Sequence, residues 1–196
     1  MADRERDRRI QDVGTLKALA HPLRMQLYRG LTIARVATAS QLAEQVDEAV
    51  SLVSYHLRKL AEHGLIEEAA TQSADGRERW WQPASDGVSV RDEDFRDAPE
   101  KAAAHTAASR LFFEQRCDMY RRFLDERAHW SADWTTASDS SEWLLKLTPA
   151  ELNALSKEVY ALVRKYEERG RAAEAAGDTD GRENVAVHTY GFPFRL

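Results

Sequence analysis

The segment that most restricts what this chain can fold into is residues 38–83, where one two-faced helix lies between a capped helix and a hairpin pattern. In the run Val50-Ser-Leu-Val-Ser-Tyr-His-Leu-Arg-Lys-Leu60, Val53, Leu57 and Leu60 recur at helical spacing and form the side that must be buried. Ser51, Ser54, Tyr55 and Arg58 fall on the opposite side, with Lys59 at its edge. The pattern predicts a helix over 50–63. Upstream, Thr38-Ala-Ser-Gln41 fits a capping box and opens a shorter helix with Leu42, Ala43 and Val46 inward, and Asp47-Glu48-Ala49 forms the turn. Downstream, Gly64 ends the second helix. Residues 65–70 and 79–83 read as strands, joined by a polar loop whose Asp75-Gly76 is a hairpin turn signal.

That order predicts a helix-turn-helix with a wing. Short polar side chains on the second helix leave room to approach base edges, and Arg can bond guanine or phosphate. Arg77 and Arg79 lie at or near the hairpin tip, where a cation can rest on phosphate or reach a minor groove. Taken singly, each feature has an ordinary reading: a polar helix face is what any amphipathic helix shows, and Arg77 alone fits a solvated loop. Before this segment, a helix is predicted over 10–19 (Ile10, Val13, Leu16, Leu19). A second, opened by Pro22, carries Leu23, Leu27 and Leu31. Residues 1–9 are almost wholly charged and read as an arm without fixed structure.

Charge and cysteine content narrow the function. The 196 residues carry a net charge of −5, which argues against a non-specific nucleic-acid binder. The imbalance is uneven: residues 1–90 hold 12 Lys and Arg against 13 Asp and Glu, and residues 91–196 hold 16 against 20. DNA binding by the first half therefore requires its cations to gather on one face. Cys117 is the sole cysteine, which excludes an intrachain disulfide and finger-type zinc sites. No apolar run approaches the ~20 residues that span a bilayer, and the N-terminus lacks the apolar core of a secretory signal, so no membrane association and a cytoplasmic location are expected. There is no Gly-rich phosphate loop, His-Glu-x-x-His pair or Gly-x-Ser-x-Gly elbow, so neither an enzyme nor a cofactor is expected.

Two stretches carry a family resemblance. Leu19-Ala-His-Pro-Leu-Arg24 resembles the Leu-Ala-Asp-Pro-x-Arg opening of ArsR-type bacterial repressors. Val53-Ser-Tyr-His-Leu-Arg-Lys-Leu-Ala-Glu-His-Gly-Leu-Ile66 is similar to that family's Val-Ser-x-His-Leu-x-x-Leu-x-x-x-Gly-Leu-Val. The resemblance spans about residues 12–83. It implies a DNA-binding transcriptional regulator, a repressor acting as a homodimer on a pseudo-palindromic operator, with helix 50–63 in the major groove and wing 71–79 on the backbone or minor groove. It also implies DNA contacts at Gln41, Ser51, Ser54, Tyr55, Arg58, Lys59, Arg77 and Arg79, a structural His56, and an Arg24 that is either structural or on phosphate. His21 stands where the family has Asp. Metal-sensing members carry Cys or His ligands before the recognition helix; here that stretch is Gln41-Leu-Ala-Glu-Gln45, and His105 and His129 are too far apart for a local site, so no metal is expected. The rival reading is a winged-helix protein-interaction module without specific DNA binding.

The second half is predicted to supply spacing and control. Residues 86–94 read as a polar linker. Asp97-Ala-Pro-Glu100 caps a long helix to about Trp130, with one stripe through Phe113, Cys117, Tyr120 and Leu124 and a second through Phe112, Met119 and Phe123. The first stripe is the expected dimerisation surface, with Cys117 buried and inert. Beyond a loop over 135–141, a strand (142–147), a helix capped by Thr148-Pro-Ala-Glu151 with a regular three-four stripe of Leu152, Leu155, Val159, Leu162 and Tyr166, a mobile loop (170–181) and a strand (184–190) predict a small strand-helix-strand unit, resembling a subset of ArsR-like regulators with extended C-termini. The second half is rich in aromatics, which fill cores and also line ligand pockets; a pocket for a small hydrophobic effector is expected near Tyr120, Trp130 and Trp143. The fold class is mainly α with small β (α+β), divided as arm 1–9, winged helix-turn-helix 10–90, long helix 91–134 and α/β unit 135–196.

Overall fold

The structure is a computed structural model that describes residues 7–70 and 78–195. Strand β1 (Asp7–Ile10) leads into α1 (Val13–Ala20) and α2 (Pro22–Ala34). Strand β2 (Ala37–Thr38), α3 (Ala39–Val46), α4 (Val50–Glu62) and strands β3 (Ile66–Glu68) and β4 (Trp80–Pro83) follow. This is a winged helix-turn-helix, and the long helix α5 (Pro99–Glu126) comes after it. The chain divides into two compact units, 1–123 and 124–196.

The core of the first unit is built from the stripes that the sequence places inward. Leu16, Leu19, Leu27, Leu31, Leu42, Val53, Leu57 and Leu60 are all buried, and Leu65, Ile66 and Trp81 close the core on the sheet side. Local chemistry sets the helix ends. The Thr38 hydroxyl accepts from the Gln41 N–H at 3.3 Å while the Gln41 side chain accepts from the Thr38 N–H at 3.0 Å, a complete capping box. Asp47 in the left-handed region closes α3 (φ 53°). Gly64 takes φ +62° just past α4, where a side chain would also meet the Arg8 guanidinium at 3.0 Å, so the turn into β3 requires glycine.

Strand β4 is the centre of a sheet ordered β2–β4–β3, antiparallel throughout, with Ala37 opposite Trp81 and Glu67 opposite Gln82. The sequence misses β2, whose two residues carry no strand period. The hairpin tip predicted at Asp75-Gly76 lies outside the described residues, as does Arg77.

Three expectations for the first unit are corrected. The arm is not free over 7–9: these residues belong to β1, which pairs in parallel with β5 (Gly87–Val90), from Asp7 opposite Gly87 to Ile10 opposite Val90. Residues 86–94, read as a linker, thus hold a strand and a short 3-10 turn (Asp92–Asp94). The lock is ionic as well as backbone: Arg9 donates in a bidentate pair to Asp94 (2.7 and 2.6 Å) and to Glu93 (2.8 Å). The first helix starts at Val13 rather than Ile10, because the Asp12 carboxylate accepts from the Thr15 N–H at 2.7 Å; this bond holds that carboxyl below its usual range. Ile10 is buried as the end of a strand.

In the second unit the last turn of α5 gives way to a 3-10 turn (Arg127–His129) and α6 (Ala132–Ala137), where a loop is expected from 135. Helix α7 (Pro149–Ala175) begins as predicted, with Thr148 and Glu151 forming a capping box. It continues through Gly170, because the residues beyond it, Arg171-Ala-Ala-Glu-Ala-Ala, are strong helix formers that outweigh one glycine. The flanking strands do not form: among the described residues, 142–147 and 184–190 take no regular secondary structure. Along the α7 stripe, Leu155, Leu162 and Tyr166 are exposed. Among the described residues, no helix is long and apolar enough to cross a membrane.

Truncating the deepest contact of α4, Leu57→Ala, is expected to lower stability by about 2–5 kcal/mol, read as a fall in the denaturant midpoint. A loss well under 1 kcal/mol would mean that α4 is not held by this face.

Candidate nucleic-acid interface

Helix α4 splits cleanly by burial. Val53, His56, Leu57 and Leu60 face the core, against α2 and α3. Ser51, Tyr55 and Arg58 are exposed, while Ser54 and Lys59 are half-buried. The structure thus brings together on one surface all five α4 residues that the sequence singles out. Two further α4 side chains are exposed at the flanks of this face, Val50 (47%) and Leu52 (39%). Sequence reading misses them because apolar side chains are assigned to the core by default. A clue was available: neither belongs to the Val53, Leu57, Leu60 stripe. Their methyl groups suit contact with the thymine methyl, the one apolar feature a base pair displays in the major groove.

The charges on this surface are partly committed. Lys59 Nζ pairs with Glu62 at 2.7 Å and lies 5.9 Å from the Tyr55 ring centre. On the wing side, Arg79 Nε pairs with Glu68 at 2.8 Å and stacks over Trp81, and the Ser40 hydroxyl donates to Glu78 at 2.7 Å, tying the start of α3 to the hairpin. Gln41 is exposed at the N-terminus of α3, with its amide oxygen engaged in the capping box. An anion approaching here meets the unpaired N–H groups of the α3 first turn.

Two residues of the first motif position α4 from beneath. The Arg24 guanidinium donates to the carbonyls of Ala18 (2.5 Å) and Lys17 (3.2 Å), and Gln115 of α5 donates to that of Ala20 at 3.4 Å. These are terminal carbonyls of α1, which have no partner within the helix, so Arg24 works as a C-terminal clamp. The His21 and His56 rings meet at a tilt of 36° with centres 4.7 Å apart, and both Nδ1 atoms are buried without a hydrogen-bond partner. Burial pushes both imidazoles below the ordinary histidine value; Arg24 repels a proton on either ring, and His21 on that of His56, against a weaker opposing pull from Glu48.

The long helix packs on the core only in part, through its N-terminal half. Ala108 and Phe112 pack on the core, whereas Phe113, Tyr120 and Leu124 are exposed and Cys117 is half-buried rather than buried. Of the residues expected near an effector, Tyr120 stacks on Phe123 (6.0 Å), Trp130 meets Trp134 edge to face (6.4 Å) and Trp143 is 72% exposed. Shallow grooves in the first unit, lined by Ala34, Gln41 and Gln45 and by Asp92, His105 and Phe113, have volumes of about 320 and 450 Å³ and do not include Tyr120. Among the described residues, no three His, Cys, Asp or Glu side chains gather as a metal site.

Against known proteins, a family described as a helix-turn-helix domain matches residues 19–69. No curated protein matches the chain by sequence. Among solved structures, a MarR family transcription regulator is 20% identical with a TM-score of 0.32, over 81% of this chain and 79% of the other. A ZitR double mutant from Lactococcus lactis is 15% identical with a TM-score of 0.29, over 74% and 73%. The adhesin competence repressor AdcR from Streptococcus pyogenes is 14% identical with a TM-score of 0.30, over 75% and 81%.

Two predictions follow the clamp and the histidine pair. Arg24→Ala is expected to cost about 1 kcal/mol or more in folding stability even without DNA; a variant as stable as the parent would leave Arg24 free for phosphate. The histidines take up protons less readily folded than unfolded, so below about pH 6.5 the unfolded chain binds more protons. Their contribution is therefore full above about pH 6.5 and is lost as pH falls below it. Thermal midpoints should drop on acidification through this range, and a His21→Gln/His56→Gln variant should drop less. An equal drop in both would place the titration elsewhere.

Proposed function

We propose that the chain is a sequence-specific DNA-binding transcriptional regulator of the ArsR type, a repressor that acts as a homodimer and has no catalytic role. The observation that carries this reading is the exposed face of α4, where Ser51, Tyr55 and Arg58 stand beside Val50 and Leu52 on a helix whose other side is fully buried. Hydrogen-bonding groups and methyl-sized apolar groups together are what the major groove displays. Ser54 and Lys59 at the edge, Gln41 at the head of α3, and Arg77 and Arg79 of the wing would hold the backbone and set the register.

A pseudo-palindromic operator requires two recognition helices at fixed spacing. The exposed side of α5, with Phe113, Tyr120 and Leu124 and the half-buried Cys117, supports pairing through that helix. The cation pairs Lys59–Glu62 and Arg79–Glu68 favour the rival reading, a winged helix that binds protein, because they spend charge that phosphate would use.

Binding to labelled duplexes from the region upstream of the protein's own gene separates the two. A regulator prefers specific over scrambled duplex and loses affinity steeply as salt rises. Arg58→Ala should weaken specific binding by about 1–3 kcal/mol and leave the thermal midpoint unchanged. Unchanged affinity in that variant, or equal weak binding to every duplex, would overturn the assignment.

A further inference from the structure

Residues 124–196 hold no apolar core of their own. Every buried hydrophobic residue among the described residues lies between Ile10 and Ala108, and in the second unit only Arg164 is buried, among Tyr160, Glu167 and Arg171. Meanwhile Trp143, Leu144, Val185, Val187, Phe192 and Phe194 are between 52% and 72% exposed. Two segments without regular secondary structure, 142–147 and 184–195, carry these side chains. They lie at the same end of α7: the first runs directly into the Thr148 cap, and Gly191 of the second sits so close to Leu152 that a Cβ would be 2.9 Å from its Cδ1. Among the described residues, the long helix and these two irregular segments bury no apolar side chain, and a stable domain needs two layers packed around a core.

We propose that this C-terminal unit is a self-association module whose missing layer is the same unit of a second copy of the chain, the segments 142–147 and 184–190 pairing across the interface. Three observations select a second copy. The size fits: aromatic side chains bury about 150–250 Å² each, so the exposed parts of Trp143, Phe192 and Phe194 alone amount to on the order of 400 Å². Each partner in a stable interface contributes about 800 Å², and the exposed Leu and Val residues supply the remainder. The charge pattern fits: Glu142, Lys146 and Arg195 are the only Asp, Glu, Lys or Arg residues in 142–147 and 184–195, so two identical faces meet without a cluster of like charge, as a two-fold interface requires. The strand chemistry fits: Val185 and Val187 are exposed and alternate at strand period, and an exposed apolar segment of strand composition can pair with another chain.

The inference deepens the proposed homodimer and rests on that reading for the count of two chains, but it assigns the contact to a different part of the molecule. The test uses the full-length protein in sedimentation equilibrium, with Leu144→Asp/Val187→Asp and, separately, Phe113→Asp/Tyr120→Asp, both checked by circular dichroism. The C-terminal variant should associate at least about tenfold more weakly than the parent. Parent association should persist as salt rises, unlike DNA binding. Hydrogen exchange on the parent gives a readout without mutation: amides of 142–147 and 184–190 should lose protection as the protein is diluted. A dimer broken only by the α5 variant would overturn this assignment while leaving the homodimer intact. A monomeric parent would overturn both. Protection that is independent of concentration would show the two segments pairing within one chain, and would also overturn it.

Discussion

Burial of Val53, Leu57 and Leu60 fixes the rotation of α4 about its axis, and the rest of the interface depends on that rotation. On a helix, a residue's face is set once its neighbours three and four positions away are set. With those three in the core, Ser51, Tyr55 and Arg58 have no position open to them except the outer surface. The α3 capping box and the left-handed Asp47 fix where α4 begins, and Gly64 fixes where it ends. The presented face is therefore an outcome of packing as much as of its own residues.

Beneath that face lies a layer of structural contacts. Arg24 satisfies the α1 carbonyls, and the His21–His56 pair fills the space between the α2 N-terminus and α4. The motif around Leu19 to Arg24 is in this sense the foundation of the motif around Val53 to Ile66, which accounts for their occurring together. Leaving the Nδ1 atoms of His21 and His56 buried and unsatisfied costs stability that an apolar pair would not.

Much of the first unit was legible because its elements announce themselves locally. Stripes at three and four residues, the Thr38 box and the Gly64 stop need only near neighbours to be read. Strands β1 and β5 were not legible. Asp7-Arg-Arg-Ile and Gly87-Val-Ser-Val are too short and too polar to signal a strand, and each is extended because it pairs with the other some 80 residues away. The Arg9–Asp94 pair belongs to the same class: a charged arm reads as solvated until its partner is placed beside it. The second unit fails in the opposite direction. Residues 142–147 and 184–190 have strand composition, but composition supplies no ladder, and a strand exists only with a partner.

The sequence by itself determined the helix-turn-helix, its caps, the two faces of α4 and the start of α7, because these follow from periodicities and side-chain-to-backbone bonds spanning a few residues. Only the tertiary structure decided that the arm is a strand, that Arg24 clamps helix α1, that Val50 and Leu52 are exposed at the flanks of the presented face, and that the apolar side chains of the second unit are left uncovered. Each of these depends on which distant segment fills, or fails to fill, the space beside a residue, and that is settled by packing in three dimensions.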